Sequence, residues 1–284
     1  MKASAFKHLV WLLEVKMTIE VIGGGERGKI CARLLAQKVG NGAGSEIRPR
    51  LLAHKTDDER QGRLIILPIP TTRDKMKITG TDTYLSNLLL DIQDGDMIGA
   101  YALPEDFAAE LHRKGAFVYD AALDESFLKE NAKITAHGTL GRILTETERD
   151  LSELSVGIVG YGRIGSALAE LLMFVGARVR LYSTSREKLI SLAESGVDAW
   201  MAEDTSDFSG LDILVNTAPQ RTISEKKERE LILSGVKIIE LASGNNFSSK
   251  EVVRMPAIPD RMYPLSAGRL YAKHIFTAFF EGEF

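Results

Sequence analysis

Three glycines at G-x-G-x-x-G spacing, Gly160, Gly162 and Gly165, stand where the apolar run Val156–Val159 gives way to a helical pattern with Ala167, Leu168, Leu171 and Leu172 on one face. At such a turn the first glycine permits the tight bend. The second lets backbone approach a diphosphate, and the third lets helix pack closely on strand. The helix start, at Arg163 and Ile164, adds free N–H groups and a partial positive charge. A second strand, Ala177–Tyr182, follows. Strand, glycine turn, helix and strand in that order form the setting of a dinucleotide cradle, against the plainer alternative of a glycine turn with no ligand.

The tip of the second strand bears on which dinucleotide. NAD-selective sites usually place an acid there for the ribose hydroxyls. This chain reads Ser183-Thr184-Ser185-Arg186 with no carboxylate at the tip. Three hydroxyls and a guanidinium suit a 2′-phosphate, so NADP(H) is expected over NAD(H). The same hydroxyls would also serve as a helix N-cap.

Ligands of doubly wound sheets gather outside the carboxyl ends of strands, and further candidates follow from that rule. Asn216 and Thr217, past the strand Ile213–Val215, are expected to line the nicotinamide ribose. Thr71, Thr72 and Arg73, past the strand Leu64–Leu67, are candidates for holding substrate carboxylates, as are Asn245 and Ser266. His137 falls at an expected domain junction, and histidine is the side chain whose ordinary titration lies near neutrality. With Thr139 and Ser243 it makes up the candidate catalytic set. The competing account of each is ordinary turn or hydrogen-bond chemistry. A second glycine turn, Gly23–Gly28, is read as structural or substrate-side, because no adenosine-side feature follows it.

These residues need a scaffold of two α/β domains. Short apolar strands alternate with helical patterns in both halves of the 284-residue chain, which implies parallel sheets. Residues 1–16 form an N-terminal extension. Residues 17–150 form a substrate domain ending in a strand at Asn131–Thr135 and a linking helix from Gly138 to about Arg149. Residues 151–264 form the dinucleotide domain, and 265–284 a helix that returns to the first domain. A net charge of −3 with mixed signs gives no footprint for nucleic acid or an acidic membrane. One cysteine and five scattered histidines offer neither a disulfide framework nor zinc-ligand spacing. No apolar run reaches membrane-spanning length, and the short run Leu9–Leu13 is too brief for a secretory signal. A cytoplasmic protein is expected, with a homodimer as the default assembly.

The chain resembles the A-subunit family of dipicolinate synthase from about Ile19 to the final helix. The likeness rests on Val21-Ile-Gly-Gly-Gly25, Ile65-Ile-Leu-Pro68 leading to Thr71-Thr72, and Gly138-Thr139. It continues through Gly160–Gly165 with Arg163, Asn216-Thr217-x-Pro219, Leu241-Ala242-Ser243 and Pro264-x-Ser266-Ala267-Gly268. The resemblance implies two Rossmann-like domains around a cleft, and NAD(P)-linked oxidation of a dihydrodipicolinate-type dicarboxylic acid. It also implies a partner, a flavoprotein-like B subunit. Aromatisation would drive such a reaction, leaving the protein to position the reactants, hold two carboxylates and accept a proton.

Four turns depart from that family. His137 stands where it tends to carry Glu, Gly244-Asn245-Asn246 where it has a Pro-Gly-Gly, Asp260 after Ile258-Pro259 where it has Gly, and Leu265 where it has Lys. The resemblance therefore carries the fold and nucleotide further than the substrate. Two alternatives stay open. One is a D-2-hydroxyacid dehydrogenase, although Ser243 occupies the place of that family's Arg. The other is a catalytically inactive regulatory protein that binds NADP.

Overall fold

The computed structural model describes residues 17–23, 25–39, 47–49 (backbone), 63–203, 206–244 and 246–280. The expected extension at 1–16 and Asn245 lie outside the described residues. The chain divides into two units: residues up to Leu128 together with Tyr263 onward, and Lys129–Met262.

The first unit is built on a five-stranded parallel sheet in the order β2-β1-β3-β4-β5. Its strands are β1 (Thr18–Val21), β2 (Ile47–Pro49), β3 (Arg63–Ile66), β4 (Met97–Ala100) and β5 (Phe117–Asp120). The inner strands β1, β3 and β4 are short and mostly apolar, as strands covered on both faces must be; Leu64, Ile65 and Ile66 have no exposed surface. The helices that cover them are α1 (Glu26–Val39), α2 (Leu85–Asp91) and α3 (Glu105–Arg113). At the amino end of β3, Arg63 gathers Asp91 at 2.7 Å and Asp96 at 2.5 Å, anchoring α2 and the turn before β4.

A 22-residue helix, α4 (Glu125–Glu146), then runs without interruption. Asp124 caps it, accepting from the N–H groups of Ser126 and Phe127 at 2.9 and 3.1 Å. This overturns two expectations: Asn131–Thr135 is helix, not strand, and Gly138 lies inside the helix rather than starting one. The reason is visible in burial. Ala132, Ala136, Thr139 and Ile143 are all buried, a three- or four-residue spacing that a strand cannot produce. The division between units consequently falls within α4, not at residue 150, because Ala136 and Ile143 pack into the second unit's core.

The second unit holds a six-stranded parallel sheet in the order β11-β10-β9-β6-β7-β8. Its strands are β6 (Ser155–Val159), β7 (Arg178–Ser183), β8 (Asp198–Met201), β9 (Ile213–Asn216), β10 (Lys237–Glu240) and β11 (Val253–Arg254). Helices α5 (Arg163–Phe174), α6 (Arg186–Glu194) and α7 (Glu225–Leu233) lie between strands, and α8 (Ile258–Met262) follows β11. Val156 and Ile158 face one apolar layer with Leu168 and Leu172 of α5. Val159 and Leu214 face the other, with Tyr182 and Leu231. The strand order reverses between β6 and β9, and a doubly wound sheet opens its ligand crevice at that point.

Helix α9 (Pro264–Phe279) completes the first unit by packing on α1. A Cβ on Gly268 would sit 2.7 Å from Ile30, so the close approach depends on a bare glycine. Among the described residues no helix is long and apolar enough to cross a membrane.

Candidate dinucleotide site and surrounding residues

The turn between β6 and α5 has a separate use for each of its three glycines. Gly160 sits at φ +95°, in the left-handed region, and a Cβ on it would lie 2.7 Å from the Thr217 hydroxyl. On Gly165 a Cβ would fall 2.0 Å from the Gly160 carbonyl oxygen, so only glycine lets α5 start this close to the turn. Gly162 is different. Its backbone is extended (φ −95°, ψ −165°) and a Cβ there would meet nothing within 4 Å. The absent side chain leaves open ground directly before the N–H groups that begin α5. A diphosphate fits that cradle, held by backbone donors and the helix dipole. Arg163 is exposed at the first helical position, whereas Ile164 packs into the core and can offer only its N–H.

At the β7 tip the hydroxyls divide by role. Ser183 is buried and accepts the Ser185 N–H at 3.1 Å, while Ser185 caps α6 by accepting from Lys188 N–H at 3.4 Å. Thr184 and Arg186 are exposed. The capping account thus holds for two hydroxyls and leaves Thr184 and Arg186 facing solvent. Lys188 extends from the same turn to donate to the Tyr161 carbonyl at 3.1 Å, tying α6 to the glycine turn.

Asn216 and Thr217 support that turn from beneath. The Thr217 hydroxyl donates to the carbonyls of Val159 and Gly160 at 3.1 and 3.0 Å. Asn216 is buried; its amide donates to Glu240 Oε1 at 2.9 Å and to the Ala218 carbonyl at 3.2 Å. Both side chains are therefore committed within the protein, Thr217 to backbone and Asn216 to backbone and the Glu240 carboxyl. Glu240 was not singled out from the sequence. It ends β10 at 2 % exposure, and its Oε1 also accepts the Ala242 N–H at 3.0 Å. Its Oε2 is buried with no hydrogen-bond partner. Burial pushes the carboxyl above the ordinary range, and the Asn216, Ala242 and Asn246 donors and the Arg254 charge only partly offset this. The available signal was an acid closing an otherwise apolar strand, where β-propensity disfavours one.

The remaining candidates are dispersed. Thr71 is fully buried, donating to the Pro68 carbonyl at 3.2 Å and accepting the Tyr101 N–H at 2.9 Å. Thr72 donates to Asp74 at 3.1 Å, so both hydroxyls stabilise their own loop, whereas Arg73 is exposed. Thr139 is fully buried and its hydroxyl donates to the Thr135 carbonyl at 2.9 Å, one turn back along α4. His137 is exposed in mid-helix, Ser243 is exposed past β10, and Ser266 is exposed in the first turn of α9. In the first glycine turn, Gly23 has φ +95° and lies against Pro68 and the Thr79 carbonyl, where a Cβ would meet each at 3.1 Å. Gly23 thus corresponds to Gly160, and at Gly25, the counterpart of Gly162, a Cβ would likewise meet nothing within 4 Å. Among the described residues no cluster of His, Cys, Asp or Glu could hold a metal.

Residues 126–255 match the family model of the NAD binding domain of D-isomer specific 2-hydroxyacid dehydrogenases. No curated protein matches the sequence. Among solved structures the chain is similar to the A subunit of dipicolinate synthase from Bacillus halodurans, with a TM-score of 0.73 and 17% identity over 94% of this chain and 99% of that one. The corresponding protein from Bacillus subtilis gives 0.65 and 18%, over 90% and 93%. The pyruvate reductase of Chlamydomonas reinhardtii gives 0.59 and 13%, over 94% and 97%. At these identities the structures share a fold with the chain. The domain match indicates a nicotinamide dinucleotide and, with it, dehydrogenase-type chemistry.

Proposed function

We propose that the protein is an NADP-dependent oxidoreductase that oxidises a small dicarboxylic acid of the dihydrodipicolinate type. One observation carries the cofactor assignment: an open, bare-backbone cradle at Gly162 in a dehydrogenase-type domain, with exposed Arg186 and no acid at the neighbouring strand tip. When bound, the nicotinamide supplies the hydride acceptor. The chain's own residues do the rest. The N–H groups that begin α5 hold the diphosphate, Thr217 keeps the glycine turn in shape, and Arg186 pairs with the 2′-phosphate.

The substrate class rests on the sequence resemblance, from Gly138-Thr139 to Pro264-x-Ser266-Ala267-Gly268. Arg73, Ser243 and Ser266 are its exposed polar candidates. His137, exposed on α4, is the proposed proton acceptor.

A second reading, oxidation of a 2-hydroxy acid, has in its favour the family match over residues 126–255. Ser243, where a guanidinium would be needed, weighs against it.

Titration with NADPH and NADH, followed by turnover on a panel of dihydropyridine dicarboxylates and 2-hydroxy acids, is the test. Tighter NADPH binding with turnover confined to the dicarboxylates is expected. An NADH preference overturns the cofactor assignment, and turnover of hydroxy acids alone overturns the substrate. Tight nucleotide binding without turnover of either class would make the chain a regulatory nucleotide binder.

A further inference from the structure

We propose that Glu240 is a positioning residue that joins the strand-end turns of the nicotinamide half, and that its carboxyl distinguishes oxidised from reduced cofactor. The inference rests on the dinucleotide assignment above. In a doubly wound sheet each mononucleotide half serves one part of a dinucleotide. With the glycine turn and the β7 tip taken by the diphosphate and adenosine ribose, the nicotinamide falls to the carboxyl ends of β9 and β10.

Glu240 closes β10 at that end. Its Oε1 draws in Asn216 from the β9 turn at 2.9 Å and Ala242 from its own turn at 3.0 Å. Asn246 adds a bond from the far side of the β10 turn to the Ala218 carbonyl, at 3.1 Å. Thr217, next to Asn216, carries the connection to Gly160. One carboxyl thereby fixes two turns whose order a nicotinamide would depend on.

A stable interior does not require an acid here. An amide or hydroxyl could accept the same two hydrogen bonds, while Oε2 remains buried with no partner. A carboxyl offers one thing those groups lack, a charge that can be present or absent. The oxidised nicotinamide ring is a cation and the reduced ring is neutral, so an ionised Glu240 favours the oxidised form.

Burial raises the pH at which the charge appears. The charged group acting on Glu240 is Arg254, paired with it in register on β11; Asn216 and Asn246 face it from β9 and the turn, and neither titrates. As pH rises through the raised value, Glu240 ionises. Affinity for NADP⁺ then improves relative to NADPH. The cofactor's 2′-phosphate is common to both forms and cancels in the ratio.

The experiment measures both dissociation constants by calorimetry from the ordinary carboxylate value of 4.5 up to neutral and alkaline pH, in wild type, Glu240→Gln and Glu240→Asp. The wild-type ratio should shift toward NADP⁺ by at least about tenfold with rising pH, the size expected of one charge acting over about 12 Å at an effective dielectric near 20. Glu240→Gln should remove the slope. Glu240→Asp should keep the slope with both affinities weakened, because the shorter side chain withdraws from Asn216. A flat wild-type ratio overturns the inference, and so does a slope that survives in Glu240→Gln. Should Glu240→Gln fail to fold, the wild-type curve and the aspartate variant decide by the same criteria. Failure of both nucleotides to bind wild type is a separate outcome, and it refutes the cofactor assignment itself.

Discussion

Valine at position 162 should abolish nucleotide binding and leave the fold untouched. Gly162 has an extended backbone that any residue adopts, and a Cβ there meets nothing within 4 Å. Folding stability should therefore fall by no more than about 1 kcal/mol, the cost of replacing a favoured glycine at the N-cap of α5. The new isopropyl group stands where the diphosphate must approach the start of α5. Charge-assisted hydrogen bonds are worth about 1.5–3 kcal/mol each. Displacing two of them costs about 3–6 kcal/mol, or on the order of 10²–10⁴-fold in affinity. Gly165→Ala is the matched control. Its Cβ would press on the Gly160 carbonyl at 2.0 Å, and overpacking of that kind typically costs about 1–3 kcal/mol of stability. Urea unfolding and isothermal titration with NADPH read both quantities. Wild-type affinity in Gly162→Val would refute the cradle. Two nucleotides per chain, one of them retained in that variant, would instead show that the Gly23 turn binds one.

Other expectations follow from the same geometry. Arg186→Ala should weaken NADPH binding by about ten- to a hundredfold and NADH binding little; equal losses would remove Arg186 from the 2′-phosphate. His137→Asn should lower kcat by about 10²–10⁴-fold, the usual worth of acid–base assistance, with NADPH affinity unchanged; an unaltered kcat in the folded variant would return His137 to the helix surface. Burial resists ionisation of Asp124, but the Phe127 N–H, the Tyr119 hydroxyl and His274 outweigh it and hold the carboxyl below its ordinary range. The stability Asp124 contributes is present at neutral pH and lost as pH falls through that lowered value. Asp124→Asn should flatten the acid limb of urea stability between about pH 5 and 3, and parallel limbs in the two proteins would disprove the linkage.

Much of the fold was legible because its strongest signals are local. Ile65 and Ile66, or Val156 and Ile158, lie in runs whose apolar content alone marks covered strands. The cradle was equally plain, since three glycines at fixed spacing have few other uses in that setting. Asn131–Thr135 misled because five residues with two apolar members suit either period. Only the buried face extending to Ile143 separates helix from strand, and that face answers to the second unit's core. Strands β8 and β11 were passed over for a similar reason. Asp198–Met201 and Val253–Arg254 take their order from pairing with β7 and β10, partners remote in sequence. Side-chain commitments were the least readable. Nothing in Thr71-Thr72 tells a ligand-facing hydroxyl from one bonded to Pro68 or Asp74. The bond from Asn216 to Glu240 links residues that are adjacent only once β9 and β10 are paired.

The division of the chain has a consequence for how the protein is made. The first unit is closed by α9, whose Tyr271 reaches the Leu67 carbonyl and meets Phe127 edge-on at 5.9 Å. Helix α9 is translated after every residue of the second unit. At ribosomal speed the interval between Leu128 and Tyr263 is roughly 10 s. During that time the α1 surface around Ile30 has no α9 to cover it. The unit encoded later can fold first on the nascent chain, while the earlier one waits half-clad. A chaperone that binds exposed apolar helix faces would find its window there, and synonymous codons that slow translation across β9 to α8 would lengthen it.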